Sequence, residues 1–147
     1  MTDFKTIPFR PEHIDQLDMT PRQLGAMAFA TPQTWVCVAE FPAITVIADG
    51  KVLACGGEIP MWAGRARFWA MFTKSIGSRM TACTRAARLL MENSTASRLE
   101  MDVGLDHEEG HRFARLLGFH VETPRMPGYF PDGTDAAMYV RFKGELA

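Results

Sequence analysis

An α/β domain, a mixed sheet flanked by helices, is the fold class this sequence predicts, and three observations carry it. Residues 44–48 and 51–59 are apolar, β-branched runs joined by Asp49-Gly50, the dipeptide of two-residue hairpins. Trp62-Ala63-Gly64-Arg65 then turns the chain into 66–72, a third antiparallel strand. Finally, Met80, Cys83, Ala87 and Leu90 fall at helical spacing between that strand and 98–103, where Leu99, Met101 and Val103 alternate with Arg98, Glu100 and Asp102. A strand-helix-strand crossover requires a parallel pair, so 66–72 and 98–103 are expected to be neighbours in an otherwise antiparallel sheet.

The remaining elements follow in order. Residues 4–9 read as a first strand with Pro8 at its edge, and Arg10-Pro11 starts a short helix through Leu17. Thr20-Pro21-Arg22-Gln23 has the form of a helix start, with Thr as N-cap, Pro at the first position and Gln three residues on. Residues 31–41 are ambiguous, because Trp35, Cys37 and Ala39 alternate with valines while prolines bracket the run. A helix is expected over about 78–93, with Arg79, Arg85 and Arg88 away from its apolar side as a solvated face. A polar loop leads to the 98–103 strand, a second crossover helix, a strand from Phe119, a Pro/Gly-rich loop over 124–135 and a last strand over 136–142.

The 147 residues suit one domain, with 47% hydrophobic residues for a core and 22% charged residues for its surface. A formal charge of −1 gives no general pull toward nucleic acid or an anionic membrane. No apolar run reaches bilayer length, no leader pattern opens the chain, and a cytoplasmic location is expected. Cys37, Cys55 and Cys83 have no metal spacing and read as reduced, buried small residues.

Residues 98–119 hold the most chemistry. Asp106, three residues before Glu109, has capping-box spacing, so Asp106 is the expected N-cap of the following helix. Phe113, Leu116 and Leu117 give that helix an apolar side, and Gly118 ends it. His107-Glu108-Glu109-Gly110-His111 matches the His-Glu-x-x-His zinc-peptidase motif. Its context does not suit zinc. An Asp106 cap puts His107 in the first turn, the spacers are Glu and Gly, and Leu117 stands where a longer motif would place a third histidine. No metal is expected, and the acids read as a solvated first turn.

Strand, turn, helix, Leu117-Gly118-Phe119 and a closing hairpin resemble the last third of the Gcn5-related N-acetyltransferase (GNAT) superfamily, and the element order extends the resemblance over the whole chain. It implies a single GNAT-like domain over 1–147, acetyl-CoA as a possible cofactor and an amine as acceptor. In the family a Gln/Arg-x-x-Gly-x-Gly/Ala loop and the helix after it hold the pyrophosphate. Here Phe72, Ser75 and Gly77 fall at its three marked positions, with Lys74, Ser78 and Arg79 as further phosphate contacts. One match in three, with a Cβ at Ser75 and a ring at Phe72, predicts weak acetyl-CoA binding. Many members carry a tyrosine acid four residues before the glycine of Leu-Gly-Phe, where this chain has Ala114; His107 stands where an asparagine commonly opens the helix. Glu58 is the candidate base on the central strands, and His107 and His111 are the alternatives.

The departures also resemble the small GNAT-like internal virion (ejection) protein of short-tailed phages. The shared features are Gly56-Gly57 closing a strand, Phe68-Trp69 running to Phe72-Thr73 with no Gly-rich loop after it, Arg112-Phe113 before a Leu-Gly step, and Asp132-Gly133 before the last strand. That likeness implies a non-catalytic accessory role with a degenerate acetyl-CoA site, other virion proteins or further copies of the chain as partners, and a place inside the virion. An active N-acetyltransferase is the alternative reading, and a zinc peptidase through His107, Glu108 and His111 the third.

Overall fold

The computed structural model describes residues 3–144. Seven strands, β1 (Phe4–Pro8), β2 (Ala43–Ala48), β3 (Lys51–Trp62), β4 (Arg65–Phe72), β5 (Arg98–Gly104), β6 (His120–Met126) and β7 (Ala136–Phe142), form one sheet in the order β1-β2-β3-β4-β5-β7-β6. Only β4 and β5 run parallel among the described residues. The expected crossover is therefore present: α3 (Met80–Glu92) carries the chain from β4 to β5, and α4 (Glu108–Leu116) from β5 to β6.

The helices divide between the two faces by the alternation of the strands. Ala66, Phe68 and Phe72 of β4 and Leu99, Met101 and Val103 of β5 join Met80, Cys83 and Ala87 of α3, Phe113 of α4 and Leu117 just after it in the larger core. A smaller core on the other face gathers Phe9, Ile14 and Leu17, Met27 after α1 (Pro21–Ala26), Val38 of α2 (Pro32–Val38), and Trp69 and Met71 of β4. Residues Pro11–Gln16 form a 3-10 helix that belongs to this second layer. Toward β5 the same face turns charged: Glu100, buried, receives Arg65 Nε at 2.8 Å and Arg98 Nε at 2.7 Å, and Arg98 reaches on to Glu122 of β6.

Three sequence expectations change. The ambiguous 31–41 run contains a helix: Thr31 accepts the Thr34 amide and Pro32 takes the first position, the same signal as Thr20-Pro21. Gly56-Gly57 lies inside β3 rather than closing a strand; a Cβ on Gly57 would meet the Pro42 carbonyl at 2.6 Å, so the glycine lets the neighbouring chain approach. Cys55 and Cys83 are buried as expected, and burial pushes their thiols up to about 11 and about 12, but Cys37 is exposed. No helix among the described residues is long and apolar enough to cross a membrane.

Candidate active site

The site begins where the parallel pair fails. Strands β4 and β5 hold register only through Arg65–Arg98, Ala66–Leu99 and Arg67–Glu100, and beyond these they splay. A cleft of about 100 Å³ opens between the splayed ends, lined by Phe68, Ala70 and Phe72 on one side and Met101, Val103 and Gly104 on the other. Thr73 donates its amide to Leu53 on the β3 side, so Phe72, one residue earlier, turns its N–H and C=O into the splay. Gln23 of α1, buried, answers both groups: its Nε2 donates to the Phe72 carbonyl at 2.8 Å and its Oε1 accepts the Phe72 amide at 2.9 Å. Trp69 lines the same cleft, and its indole N–H is buried with no partner among the described residues.

At the mouth of the cleft β4 runs into the loop that the GNAT resemblance singles out. Ser75 adopts φ 59°, Ile76 is right-handed helical, and Gly77 has φ 55°. Such alternation turns successive amides to one side and builds an anion-binding concavity. The N–H groups of Ser75, Ile76, Gly77 and Ser78 have no hydrogen-bond partner among the described residues. Arg79 holds the other side of the loop, donating to the carbonyls of Ile76 at 3.2 Å and Ser75 at 3.1 Å. Nothing lies within 4 Å of where a Cβ on Gly77 would stand, so the concavity is open. Helix α3, 13 residues long, starts at once and adds its positive end. The expected weakness at Ser75 rested on its Cβ and on its φ restriction; Ser75 takes the left-handed conformation that glycine would supply, and its Cβ remains. Lys74 instead pairs with Asp18 at 3.4 Å. The Phe72 ring packs edge-on against Phe113, 4.9 Å between centroids, and stays out of the loop.

The histidines separate. His107 is the N-cap residue of α4 and lines the cleft, with no hydrogen bond to its ring among the described residues. Burial pushes its pKa below the ordinary value and Arg22 and His111 push the same way, against Glu109, so the imidazole is neutral near pH 7. Gly110 explains itself here: a Cβ would sit 2.8 Å from His107 Nδ1, so the spacer glycine makes room for the ring. Both ring nitrogens of His111 are engaged. Its Nε2–H donates to the Leu105 carbonyl at 2.8 Å, which leaves Nδ1 to accept the Tyr139 hydroxyl at 2.7 Å. Among the described residues no group of three His, Cys, Asp or Glu is placed to hold a metal.

Two further sequence readings meet a different structure. Asp106 does not cap α4; the helix starts a residue later than its spacing suggested, and the Asp106 carboxylate forms a bidentate pair with Arg22 of α1. An arginine distant in sequence outcompetes the local amides, a contact that no local pattern reveals. Glu58 does not line the cleft: it sits inside β3 and accepts the Ser94 hydroxyl at 2.6 Å at the closed end of the sheet. Ala114 is fully buried in the larger core. Sequence reasoning missed Arg22 and Gln23, which it read only as the opening of a helix, and the cluster of Arg67, Asp102 and Tyr129 at the cleft's edge, where the Tyr129 hydroxyl donates to Asp102 at 2.9 Å.

A seven-stranded mixed sheet with one splayed parallel pair, a loop of unpaired amides at its open end and helices on both faces is the acyl-CoA N-acyltransferase architecture, and the chain has the GNAT fold. It is similar to the crystal structure of Ard1 from Thermoplasma volcanium, with TM-score 0.73 and 19% identity over 95% of this chain and 97% of that one. Spermidine N-acetyltransferase from Vibrio cholerae, in complex with CoA and spermine, superposes with TM-score 0.71 and 10% identity over 97% of this chain and 96% of that one. Mycobacterium smegmatis RimJ in complex with CoA-disulfide gives TM-score 0.67 and 12% identity over 97% of this chain and 83% of that one. No family model and no curated protein sequence matches the chain. At these identities the likeness establishes the fold, and it lends nothing to the narrower phage resemblance.

Proposed function

We propose that the chain, as a single domain, is an acetyl-CoA-dependent N-acetyltransferase. The observation that carries this is the loop at the open end of the splay, where free amides from Ser75 to Ser78, turned by positive φ at Ser75 and Gly77, meet the start of α3. A pyrophosphate fits that chemistry, because it needs several aligned donors and close approach of backbone. Acetyl-CoA when bound supplies an activated acetyl thioester. Ser75, Gly77 and Ser78 hold its phosphates through main-chain amides, and Arg79 keeps the loop in shape from behind.

Within the cleft, Phe68 and Phe113 exclude water from the reacting groups. Of the titratable side chains lining it, Asp102 is held by Arg67 and Tyr129 and Arg22 by Asp106, which leaves His107 without a hydrogen-bond partner among the described residues. His107 accepts the proton of the acceptor nitrogen, directly or through one water, and its lowered pKa keeps it in the base form at neutral pH. With Ala114 in the acid position, the departing thiolate takes its proton from solvent. Glu58 and His111 serve the structure, and the virion-assembly reading has no observation in this fold behind it. The test is thiol release from acetyl-CoA with a panel of primary amines. Turnover that falls with His107→Gln and persists in Glu58→Gln supports the proposal; no turnover with any amine, at protein concentrations where CoA binds, would refute catalysis.

A further inference from the structure

The open end of the splay is bridged by two consecutive residues. Gln23 closes on the β4 side, satisfying both main-chain groups of Phe72. Arg22, its neighbour, closes on the β5 side through its bidentate pair with Asp106 in the turn before α4. A third tie fixes the segment leading into α1, where the Lys74 amide donates to the Asp18 carbonyl at 2.7 Å. So α1 spans the gap that strand pairing leaves open past Arg67–Glu100, and it is tied to the loop end of β4, whose next residues form the anion-binding concavity.

The placement has a physical cost that local rules do not explain. Asp106 is drawn away from capping α4, and α4 begins without any side-chain cap. An exposed ion pair is worth no more than such a cap. Gln23 lies on a six-residue helix, yet it is 6% exposed and spends its whole carboxamide on one strand residue. Both side chains also line the cleft.

We infer that Arg22 and Gln23 form a yoke across the splay, by which filling the phosphate loop orders α1 and the turn before α4, so that donor binding prepares the acceptor side. Gln23 is in this sense a positioning residue, and the inference rests on the acetyl-CoA reading above. The order of events follows from the ties. A ligand that fixes residues 74–79 fixes the end of β4, the Gln23 carboxamide transmits that to α1, and Arg22 carries it to Asp106.

Hydrogen exchange of the full chain with and without saturating CoA tests this. In the wild type, CoA slows exchange at residues 73–79 and also, on the order of tenfold, across α1, and by a smaller factor across residues 104–108. In Gln23→Leu, protection of 73–79 by CoA remains while that of α1 is lost. Asp106→Asn, an exposed change that leaves the core intact, loses only the protection at 104–108 and keeps the test open if Gln23→Leu does not fold. Protection confined to 73–79 in the wild type overturns the yoke and leaves the acetyl-CoA reading standing. Equal α1 protection in the wild type and Gln23→Leu, or equal 104–108 protection in the wild type and Asp106→Asn, overturns it as well. No protection anywhere overturns both.

Discussion

At its closed end the β4–β5 pair is held by three parallel register pairs and by buried Glu100 between two arginines, with Arg65 stacked 4.5 Å over Trp62. At its open end the same two strands share no register pair, and α1 spans them with one carboxamide and one exposed ion pair. The closed end spends its polar groups on one another. The open end leaves main-chain amides and an imidazole without partners among the described residues. Charge that is fully paired stabilises, and donors left free at an opening are available to a ligand. The difference separates the part of the sheet that sets the fold from the part that can do chemistry.

Removing the closed end's central group should have the largest effect. Glu100→Gln takes the shared carboxylate from Arg65 and Arg98, of which Arg98 keeps Glu122, and should cost about 3 kcal/mol in denaturant unfolding. The arginines hold Glu100 down to about 2 in the folded protein, against an ordinary value near 4.5. The resulting stability is fully present above the unfolded value and drains away as pH falls toward 2, a dependence that Glu100→Gln should flatten.

Changes at the open end should spare stability and strike binding or turnover. His107→Gln should lower kcat about a hundredfold, roughly 3 kcal/mol of barrier, with the Kd for CoA unchanged. In the wild type kcat/KM should fall as pH drops through a His107 pKa below 6.5, and this limb should vanish in the mutant. Gly77→Asp places a carboxylate in the concavity and a side chain at positive φ, and should weaken CoA about thirtyfold, roughly 2 kcal/mol, as calorimetry would read it. Asp106→Ala should be smallest. It removes an exposed ion pair and no cap, so denaturant unfolding should show little or no change in stability.

What could be read in advance follows the same division. The Asp49-Gly50 hairpin, the alternation over 98–103 and the crossover logic are local patterns with one structural solution, and they placed the sheet correctly. The Asp106 cap, the Gln23 role and the partnering of His111 are decided by groups 84, 49 and 28 residues away, and no periodicity encodes them. Ser75 shows the limit from the other side. A motif comparison registers a missing glycine, whereas the backbone depends on φ, and Ser75 adopts the required value.

Calorimetric titration of acetyl-CoA into the wild-type chain tests the central claim, that the splay and its loop form a working acyl-donor site. One-to-one binding with a micromolar Kd, about −8 kcal/mol, is the expected result. A Kd at or above roughly 1 mM, about −4 kcal/mol, would contradict it, because the free amides at Ser75 to Ser78 would then hold no phosphate.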